Sequence, residues 1–221
     1  IGGTKVLGVL IGLDGAIENT VTMPMPGRRA PDAEVEEVVV AAALKAAGDL
    51  IPAGVGVSAA GLVDMAGERY LFGAHLPWRD APVRSRIEAA LAAGGIVSAV
   101  VLDNDANCAA HAERVLGAAR GVDSAVLITI GTGIGGALVL GGRVHRGAHG
   151  LAGEFGHMQV VPDGLRCECG LHGCWEQYCS GRALERVTRV ALGRHLDGPE
   201  VAALAEAGNE VARRAFASVG T

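Results

Sequence analysis

The sequence predicts an α/β fold in which mixed sheets are covered by helices. Short apolar stretches, typical of buried strands, alternate with segments whose apolar residues recur at helical spacing. The second half also repeats the pattern of the first, in which an apolar strand is followed by a Gly/Thr loop and another apolar strand. The composition agrees, because 50% of the residues are hydrophobic and the 34 glycines have no triplet period. A disordered chain and a collagen-like chain are both excluded.

The length of the chain bears on its domain organisation. A chain of 221 residues fits one large domain or two small ones, since a domain has roughly 100–200 residues. The repeated pattern of strand, Gly/Thr loop and strand favours two domains. We place the boundary so that residues 1–118 form the first domain and residues 119–221 the second.

Strands and helices alternate along the first half. Asp14-Gly15 marks a turn between the first two strands. A helix begins at Asp32, where acidic residues favour the helix dipole, and Gly48 ends it. The predicted strands span residues 6–11, 16–23, 55–59 and 97–102, and the other predicted helices span residues 83–93 and 105–119.

The second half begins with two strands and ends in helices. The strands are predicted over residues 125–130 and 137–140, and Gly141-Gly142 forms a turn after the second. A loop rich in glycine and cysteine follows over residues 147–173. Helices are predicted over residues 176–192, over residues 199–207, and from Asn209 to the end of the sequence.

Charge and hydropathy exclude two classes of partner. The formal net charge is -5, and the sequence has no basic stripe, so we expect no nucleic-acid partner. Apolar runs fall well short of the roughly 18 residues of a membrane helix, so we expect no membrane partner. These features predict a cytoplasmic protein.

Two Gly/Thr loops are candidate phosphate-binding segments. Glycine lets backbone N–H groups approach phosphate oxygens, and threonine adds a hydroxyl donor. The alternative is that both loops are tight turns. The candidate residues are Gly3, Thr4 and Lys5 in the first loop and Gly131, Thr132 and Gly133 in the second.

The second loop also matches a dinucleotide-binding pattern. Residues 131–136 have the order G-x-G-x-x-G, but that motif must open a helix. Here a short apolar stretch leads directly to Gly141-Gly142. We therefore exclude the dinucleotide interpretation.

Three clustered cysteines predict a metal site. Cys167, Cys169 and Cys174 offer three thiolates in a short glycine-containing segment. A structural zinc ion needs four nitrogen or sulfur ligands, and the fourth is either His157 or His172. The alternative is a set of reduced thiols without a metal.

Acidic residues lie near the end of a strand and near the cysteines. Asp105 follows the predicted strand 97–102, and ligands of α/β sheets bind beyond the carboxyl ends of strands. The alternative is a helix start, with Asp103 as the cap and Asp105 as a partner of the helix dipole. Glu154 and Glu176 bracket the cysteines, and with His157 they could accept hydrogen bonds from the hydroxyls of a sugar.

These segments together resemble the ROK family of repressors, open reading frames and sugar kinases. The most specific match is Gly-Glu-Phe-Gly-His at residues 153–157, followed by Cys-Glu-Cys-Gly-Leu-His-Gly-Cys-Trp-Glu at residues 167–176. Residues 102–107 resemble the family's catalytic-base segment. The sequence around residues 76–78 and 153–164 is similar to that of actinobacterial glucokinases. The resemblance implies a two-lobed, actin-like ATPase (ribonuclease H-like) fold with a zinc knuckle in the second lobe.

The resemblance also implies roles for the candidate residues. Asp105 would be the general base on the sugar 6-hydroxyl, and Asn104, Glu154, His157 and Glu176 would bind the other hydroxyls. His157 would also complete a structural zinc site with the three cysteines, leaving His172 outside it. Mg²⁺ would accompany the phosphoryl donor, which is ATP or polyphosphate. The substrate would be glucose or a similar hexose, and the full-length protein a homodimer or homotetramer.

The chain departs from the family pattern at both ends. The family has an Asp before the first phosphate loop, and its kinases continue beyond the segment that matches the end of this chain. We therefore expect a fragment without the extreme N-terminus and the C-terminal part. Two alternatives stay open: a kinase for N-acetylglucosamine or N-acetylmannosamine, and a non-catalytic, sugar-sensing repressor domain. The presence of Asp105 favours a kinase.

Overall fold

The structure, a computed structural model, describes residues 1–27 and 29–220. These residues form two compact units. The first contains Ile1–Arg120 and a returning segment, Arg146–Ala152; the second contains Gly121–His145 and the residues from Gly153 onward. The sequence interpretation did not include the returning segment. The two-domain division at residues 118 and 119 stays a prediction.

Paired strands form the centre of the first unit. They are β1 (Lys5–Ile11), β2 (Ile17–Pro24), β3 (Gly54–Ala59), β4 (Leu62–Val63), β5 (Tyr70–Phe72) and β6 (Ala99–Asn104). Strands β1 and β2 form an antiparallel hairpin, as do β4 and β5, whereas β3 and β6 pair in parallel. The short strands β4 and β5 were not predicted, because neither provides enough alternating positions to be recognised.

Helices cover these strands and close an apolar core. They are α1 (Asp32–Ala47), α2 (Val83–Ala93) and α3 (Asp105–Leu116). Helix α1 buries Val35 and Val39 on the face that packs against β1, and each such valine contributes about 1.5–3 kcal/mol relative to an exposed one. The chain leaves α1 at Gly48, whose φ of 59° favours glycine.

The junction of β6 and α3 differs from the predicted one. We expected the strand to end at Leu102, but it continues to Asn104 because Asp103 and Asn104 pair with Ser58 and Ala59 of β3. The parallel partner satisfies their backbone groups, so polar side chains do not end the strand. Helix α3 therefore begins directly at the carboxyl end of β6.

The second unit combines one antiparallel sheet with a cysteine-rich loop and helices. Its elements are β7 (Ala125–Ile130), β8 (Ile134–Leu140), β9 (Arg143–His145), a 3-10 helix (Phe155–His157), α4 (Glu176–Cys179), α5 (Gly181–Leu192), α6 (Gly198–Glu206) and α7 (Glu210–Val219). Leu184, Val201 and Ala212 belong to the core formed by the last three helices. No helix within the described residues combines the length and apolar character needed to cross a bilayer.

Two predictions for the second unit have clear outcomes, and a third reaches beyond the described residues. The exclusion of a dinucleotide motif is confirmed, since Ile134 begins a strand rather than a helix. The single helix expected over residues 176–192 is wrong, because the extended backbone of Ser180 interrupts it and the Ser180 side chain caps α5. The final helix ends at Val219, and the predicted extension to Thr221 falls outside the described residues.

Candidate active site and metal centre

The turn between β6 and α3 holds Asp105 at the surface in a defined orientation. Asn104 is the N-cap of α3, and its Oδ1 accepts a hydrogen bond from the backbone N–H of Asn107 (3.1 Å). The Asn104 amide donates to the carbonyl of Gly61 (2.9 Å) and to Oδ1 of Asp105 (3.1 Å). The Asp105 oxygen also accepts from the N–H of Ala106 (2.9 Å). Asp105 is thus exposed and oriented, as a general base must be.

Asp103 is not the cap of α3 but the centre of a partly buried polar network. Its Oδ1 accepts hydrogen bonds from the N–H of Asn104 (2.8 Å) and the amide of Asn107 (3.1 Å). Its Oδ2 accepts from two guanidinium nitrogens of Arg146, with Nε at 3.1 Å. Arg146 was missed in the sequence because it lies 43 residues away. The available signal was a carboxylate at the end of a buried strand, which requires a counter-charge.

The first candidate phosphate loop packs against a histidine. A Cβ on Gly3 would lie 2.9 Å from Cβ of His75, so a glycine is required there. The carbonyl of Thr4 accepts from the N–H of Met25 (3.0 Å), which anchors the loop where β1 begins at Lys5. Thr4 and Lys5 are exposed, and their binding of phosphate stays a prediction.

The second candidate phosphate loop is a hairpin turn that rests on the first residues of α5. The N–H of Gly131 donates to the carbonyl of Gly133 (3.0 Å) between β7 and β8. The carbonyls of Gly131 and Thr132 accept from the N–H groups of Gly181 (2.7 Å) and Arg182 (3.2 Å). The loop is therefore a tight turn, as the alternative interpretation held, and is also fixed in position. Its binding of phosphate stays a prediction.

Four ligand atoms converge near the 3-10 helix. The side chains of His157, Cys167, Cys169 and Cys174 bring one nitrogen and three sulfurs within 4.8 Å of one another. Nδ1 of His157 lies 3.6 Å from Sγ of Cys167, and the sulfurs of Cys169 and Cys174 are 3.6 Å apart. Tetrahedral zinc with bonds of about 2.3 Å to sulfur would separate two sulfurs by about 3.8 Å. The donor set and the distances both fit zinc.

The backbone of the cysteine-rich loop produces this convergence. The N–H of Cys167 donates to the carbonyl of Leu171 (2.8 Å), and the N–H of Gly170 donates to the carbonyl of Cys167 (3.1 Å), so the chain folds back on itself. Gly173 has a φ of 74°, and a Cβ there would lie 1.7 Å from the carbonyl oxygen of Val161. A side chain at Gly173 would force the loop open and separate the cysteines.

Burial changes the acidity of two of the thiols. Cys167 and Cys174 are buried, and desolvation raises the pKa of Cys167 and raises the pKa of Cys174 to about 12. Both would stay protonated at neutral pH without a nearby cation. A divalent metal ion would supply that charge, because it binds thiolates rather than thiols.

Two carboxylates flank His157 on different sides. Oε2 of Glu154 lies 3.8 Å from Nε2 of the ring, and Oε1 of Glu176 lies 3.9 Å from Nδ1. The predicted sugar-binding residues of this unit therefore lie together. Because Nδ1 faces the sulfurs, Nε2 and the Glu154 carboxylate remain on the side away from Cys167.

Glu176 also connects the cysteines to the second candidate phosphate loop. Its Oε2 accepts a hydrogen bond from the N–H of Ile134 (3.3 Å), and a Cβ on Gly133 would lie 2.5 Å from the same oxygen. Its Oε1 lies 3.6 Å from Sγ of Cys167. One side chain thus contacts the candidate metal centre and the start of β8.

Comparison with known proteins gives consistent matches. The sequence profile described as the ROK family matches residues 1–221. A glucokinase of Streptomyces coelicolor is 41% identical over 189 residues, which are 86% of this chain and 57% of the relative. A xylose repressor of Bacillus subtilis is 36% identical over 131 residues, which are 59% of this chain and 33% of the repressor.

A solved structure supports the same comparison. It is a ROK family glucokinase from Streptomyces griseus in complex with glucose and AMPPNP, with 35% identity and a TM-score of 0.85. The match covers 99% of this chain and 73% of the glucokinase. The predicted α/β, actin-like fold is confirmed. The chain nevertheless spans 57% of the length of the Streptomyces coelicolor relative.

Proposed function

Because the chain belongs to the ROK family, we propose that it acts as a hexose kinase that transfers a phosphoryl group from ATP to the 6-hydroxyl of glucose. The observation that carries this proposal is the exposed, doubly hydrogen-bonded carboxylate of Asp105 at the end of β6. The similarity to glucokinases of Streptomyces supports glucose as the substrate. The resemblance of the sequence to the ROK family is confirmed.

Asp105 is the proposed general base. Its carboxylate would accept the proton of the sugar 6-hydroxyl as that oxygen attacks the terminal phosphorus of ATP, and the bond from that phosphorus to the bridging oxygen would break to release ADP. Asn104 fixes the base through its amide nitrogen, and its Oδ1 would accept a hydrogen bond from a neighbouring sugar hydroxyl. Phosphoryl transfer passes through a loose transition state, so orientation and charge neutralisation are the main tasks of the protein.

Glu154, His157 and Glu176 are the proposed residues for the remaining sugar hydroxyls. The two carboxylates accept hydrogen bonds, and Nε2 of His157 provides a further polar atom beside Glu154. Glu154 and Glu176 keep 36% and 18% of their side-chain surface exposed, so a ligand can reach both. This combination of acceptors suits a polyol.

Zinc is the proposed structural metal, held by His157 and the three cysteines. When bound, the ion supplies the positive charge that keeps the buried cysteines as thiolates. The ring of His157 is then fixed through Nδ1, so that Nε2 faces the sugar with Glu154. Zinc has no proposed part in the phosphoryl transfer itself.

The two Gly/Thr loops are the proposed donor contacts. Gly3, Thr4 and Lys5 would offer backbone N–H groups, a hydroxyl and an ammonium group, and Gly131, Thr132 and Gly133 would offer a second set of N–H groups. Mg²⁺ would accompany ATP as part of the donor. Polyphosphate presents the same anionic oxygens and is the alternative donor. Assembly as a homodimer or homotetramer and the division into domains at residue 118 stay predictions.

A coupled phosphorylation assay on the full-length gene product tests the proposal. Glucose, N-acetylglucosamine, N-acetylmannosamine and fructose are each offered with ATP and with polyphosphate. We expect turnover with glucose and ATP, and a fall in kcat of about 10²–10⁴-fold for Asp105→Asn. The exposed Asp49 supplies the control, since Asp49→Asn removes the same charge at a position outside the candidate site. A folded protein that phosphorylates none of these sugars would contradict the proposal.

The similarity to a xylose repressor supports a second candidate function. In that case the site binds a sugar without turning it over. Isothermal titration with glucose and xylose, in the absence of a donor, separates the two functions. Sugar binding without phosphorylation under any donor would favour the repressor-like function.

A further inference from the structure

A charged pair behind the candidate base has no part in the proposed chemistry. Two guanidinium nitrogens of Arg146 converge on Oδ2 of Asp103, with Nε at 3.1 Å. The Asp103 side chain is 12% exposed and that of Arg146 is 36% exposed. Asp103 is little hydrated, so its carboxylate relies on the guanidinium as a compensating partner, whereas a surface carboxylate has water.

The pair is linked to Asp105 through defined hydrogen bonds. With Oδ2 held by Arg146, Oδ1 of Asp103 accepts from the N–H of Asn104 (2.8 Å) and the amide of Asn107 (3.1 Å). The Asn104 side chain in turn caps α3 and donates to Oδ1 of Asp105 (3.1 Å). Each member of this series fixes the next one.

Arg146 is held against the first unit by its own segment. The carbonyl of Arg146 accepts from the N–H of Ala152 (3.1 Å), which closes the returning segment into a loop. A Cβ on Gly150 would lie 2.3 Å from the carbonyl oxygen of Val63 in β4, so the loop approaches the strand closely. The guanidinium therefore comes from a loop that is itself packed in place.

We propose that Arg146 is a positioning residue for the base, acting through Asp103 to fix Asn104 and Asp105. The inference rests on the proposed function, in which Asp105 is the base. Neutralising Arg146 leaves the carboxylate of Asp103 without its counter-charge, so that it turns toward water. This movement weakens the hydrogen bonds at Asn104 N and Asn107 and loosens the first turn of α3.

Kinetics of Arg146→Met in the full-length gene product test this role. We expect kcat with glucose to fall about 10- to 100-fold, the loss that a misplaced catalytic group causes. The KM for ATP should stay within about twofold, because a positioning defect at the base removes transition-state rather than donor binding. Arg143→Met is the matched control, since Arg143 is exposed and lies close in sequence.

A double variant separates positioning from general stability. Asp103→Asn removes the buried charge but keeps an oxygen for the two hydrogen bonds at Oδ1. We therefore expect Arg146→Met combined with Asp103→Asn to regain at least about fivefold in kcat over Arg146→Met alone, a non-additive result. Additive losses, or a kcat unchanged by Arg146→Met in the folded protein, would overturn the inference. If Arg146→Met does not fold, Arg146→Gln, which also removes the charge, replaces it, and an unchanged kcat for that variant overturns the inference equally.

Hydrogen exchange provides a readout that does not need turnover. We expect faster amide exchange at residues 104–107 in Arg146→Met, or in Arg146→Gln if that variant replaces it, and wild-type exchange in Arg143→Met. Unchanged exchange at these residues overturns the inference. If Arg146→Met shows the faster exchange but the wild-type protein phosphorylates no sugar, the proposed function is contradicted instead, and the geometric link from Arg146 to the turn stands.

Discussion

Glu176 accepts a hydrogen bond from the backbone N–H of Ile134 at 3.3 Å, while its other carboxylate oxygen lies 3.6 Å from Sγ of Cys167. The cysteine cluster and the loop before β8 are therefore joined through one side chain. A displacement of the cysteine cluster should therefore move the loop through Glu176, and a displacement of the loop should move the cluster.

Glu176→Gln should weaken sugar binding. The variant keeps the shape of the side chain but loses the negative charge that strengthens its hydrogen bonds. Such a bond contributes about 1.5–3 kcal/mol, so we expect the KM for glucose to rise about 10- to 100-fold. Steady-state kinetics measure it, with Glu206→Gln at an exposed position of α6 as the control. Equal KM values for the two variants would rule out a sugar contact at Glu176.

Removal of the metal should destabilise the second unit. Chelation leaves buried thiols and an unconstrained His157, so we expect a lower unfolding temperature and weaker glucose binding. The zinc content, measured by atomic absorption, should approach one ion per chain before chelation and should fall sharply in Cys174→Ser. His172→Ala is the control, because His172 lies outside the group of four ligands. A protein whose melting temperature and glucose affinity survive chelation would refute a structural zinc ion.

Gly133→Ala should disturb both Glu176, which lies beside the cysteine cluster, and the second candidate phosphate loop. The new methyl group would lie 2.5 Å from Oε2 of Glu176, which must then move away from Ile134. We expect the KM values for glucose and for ATP both to rise by about tenfold, equivalent to a loss of about 1.4 kcal/mol in each. Gly198→Ala, at a position with open space around it, is the control. An effect on ATP alone would show that the Glu176 contact does not transmit the change.

Tyr70→Phe should weaken the support of Asn104 and alter stability at high pH. The buried hydroxyl of Tyr70 donates to the carbonyl of Ala60 (2.7 Å), next to Gly61, whose carbonyl holds Asn104. Removing this bond should cost about 1 kcal/mol of unfolding free energy at neutral pH.

The stability that the Tyr70 hydroxyl contributes should decrease at high pH. Burial raises the pKa of Tyr70 well above its usual value. The stability that its protonated phenol contributes is therefore complete below a pH of about 10 and is lost as the pH rises further. Urea unfolding at about pH 8 and about pH 10.5 should show a steeper loss for the wild type than for Tyr70→Phe. Equal losses would contradict the assignment.

Local patterns predicted most of the elements, and contacts over long sequence distances explain the differences. Helix α2 was predicted with its observed bounds, because Val83, Ile87 and Leu91 recur at helical spacing and all face the core. The break at Ser180 was missed because apolar spacing continues across it. The Ser180 side chain accepts a hydrogen bond from the N–H of Ala183, and this local interaction competes with a continuous helix.

The candidate site shows the same contrast. The cysteine spacing identified the candidate metal ligands but left His157 and His172 open as the fourth. The family resemblance implied His157, and the fold brings that residue to the sulfurs. The pairing of Asp103 with Arg146 had no local pattern at all, since strand β6 and the returning segment meet only in the folded chain.

The returning segment has a consequence for dissecting the protein. Because Arg146–Ala152 belongs to the first unit, that unit is not one continuous stretch of chain. A polypeptide that stops at Arg120 would include the carboxylate of Asp103 but not the guanidinium that neutralises it. Cutting the gene at the apparent boundary would thus produce a lobe with an uncompensated internal charge. Separately expressed halves should fold better if the loop from Arg146 to Ala152 is grafted onto the first half with a flexible linker.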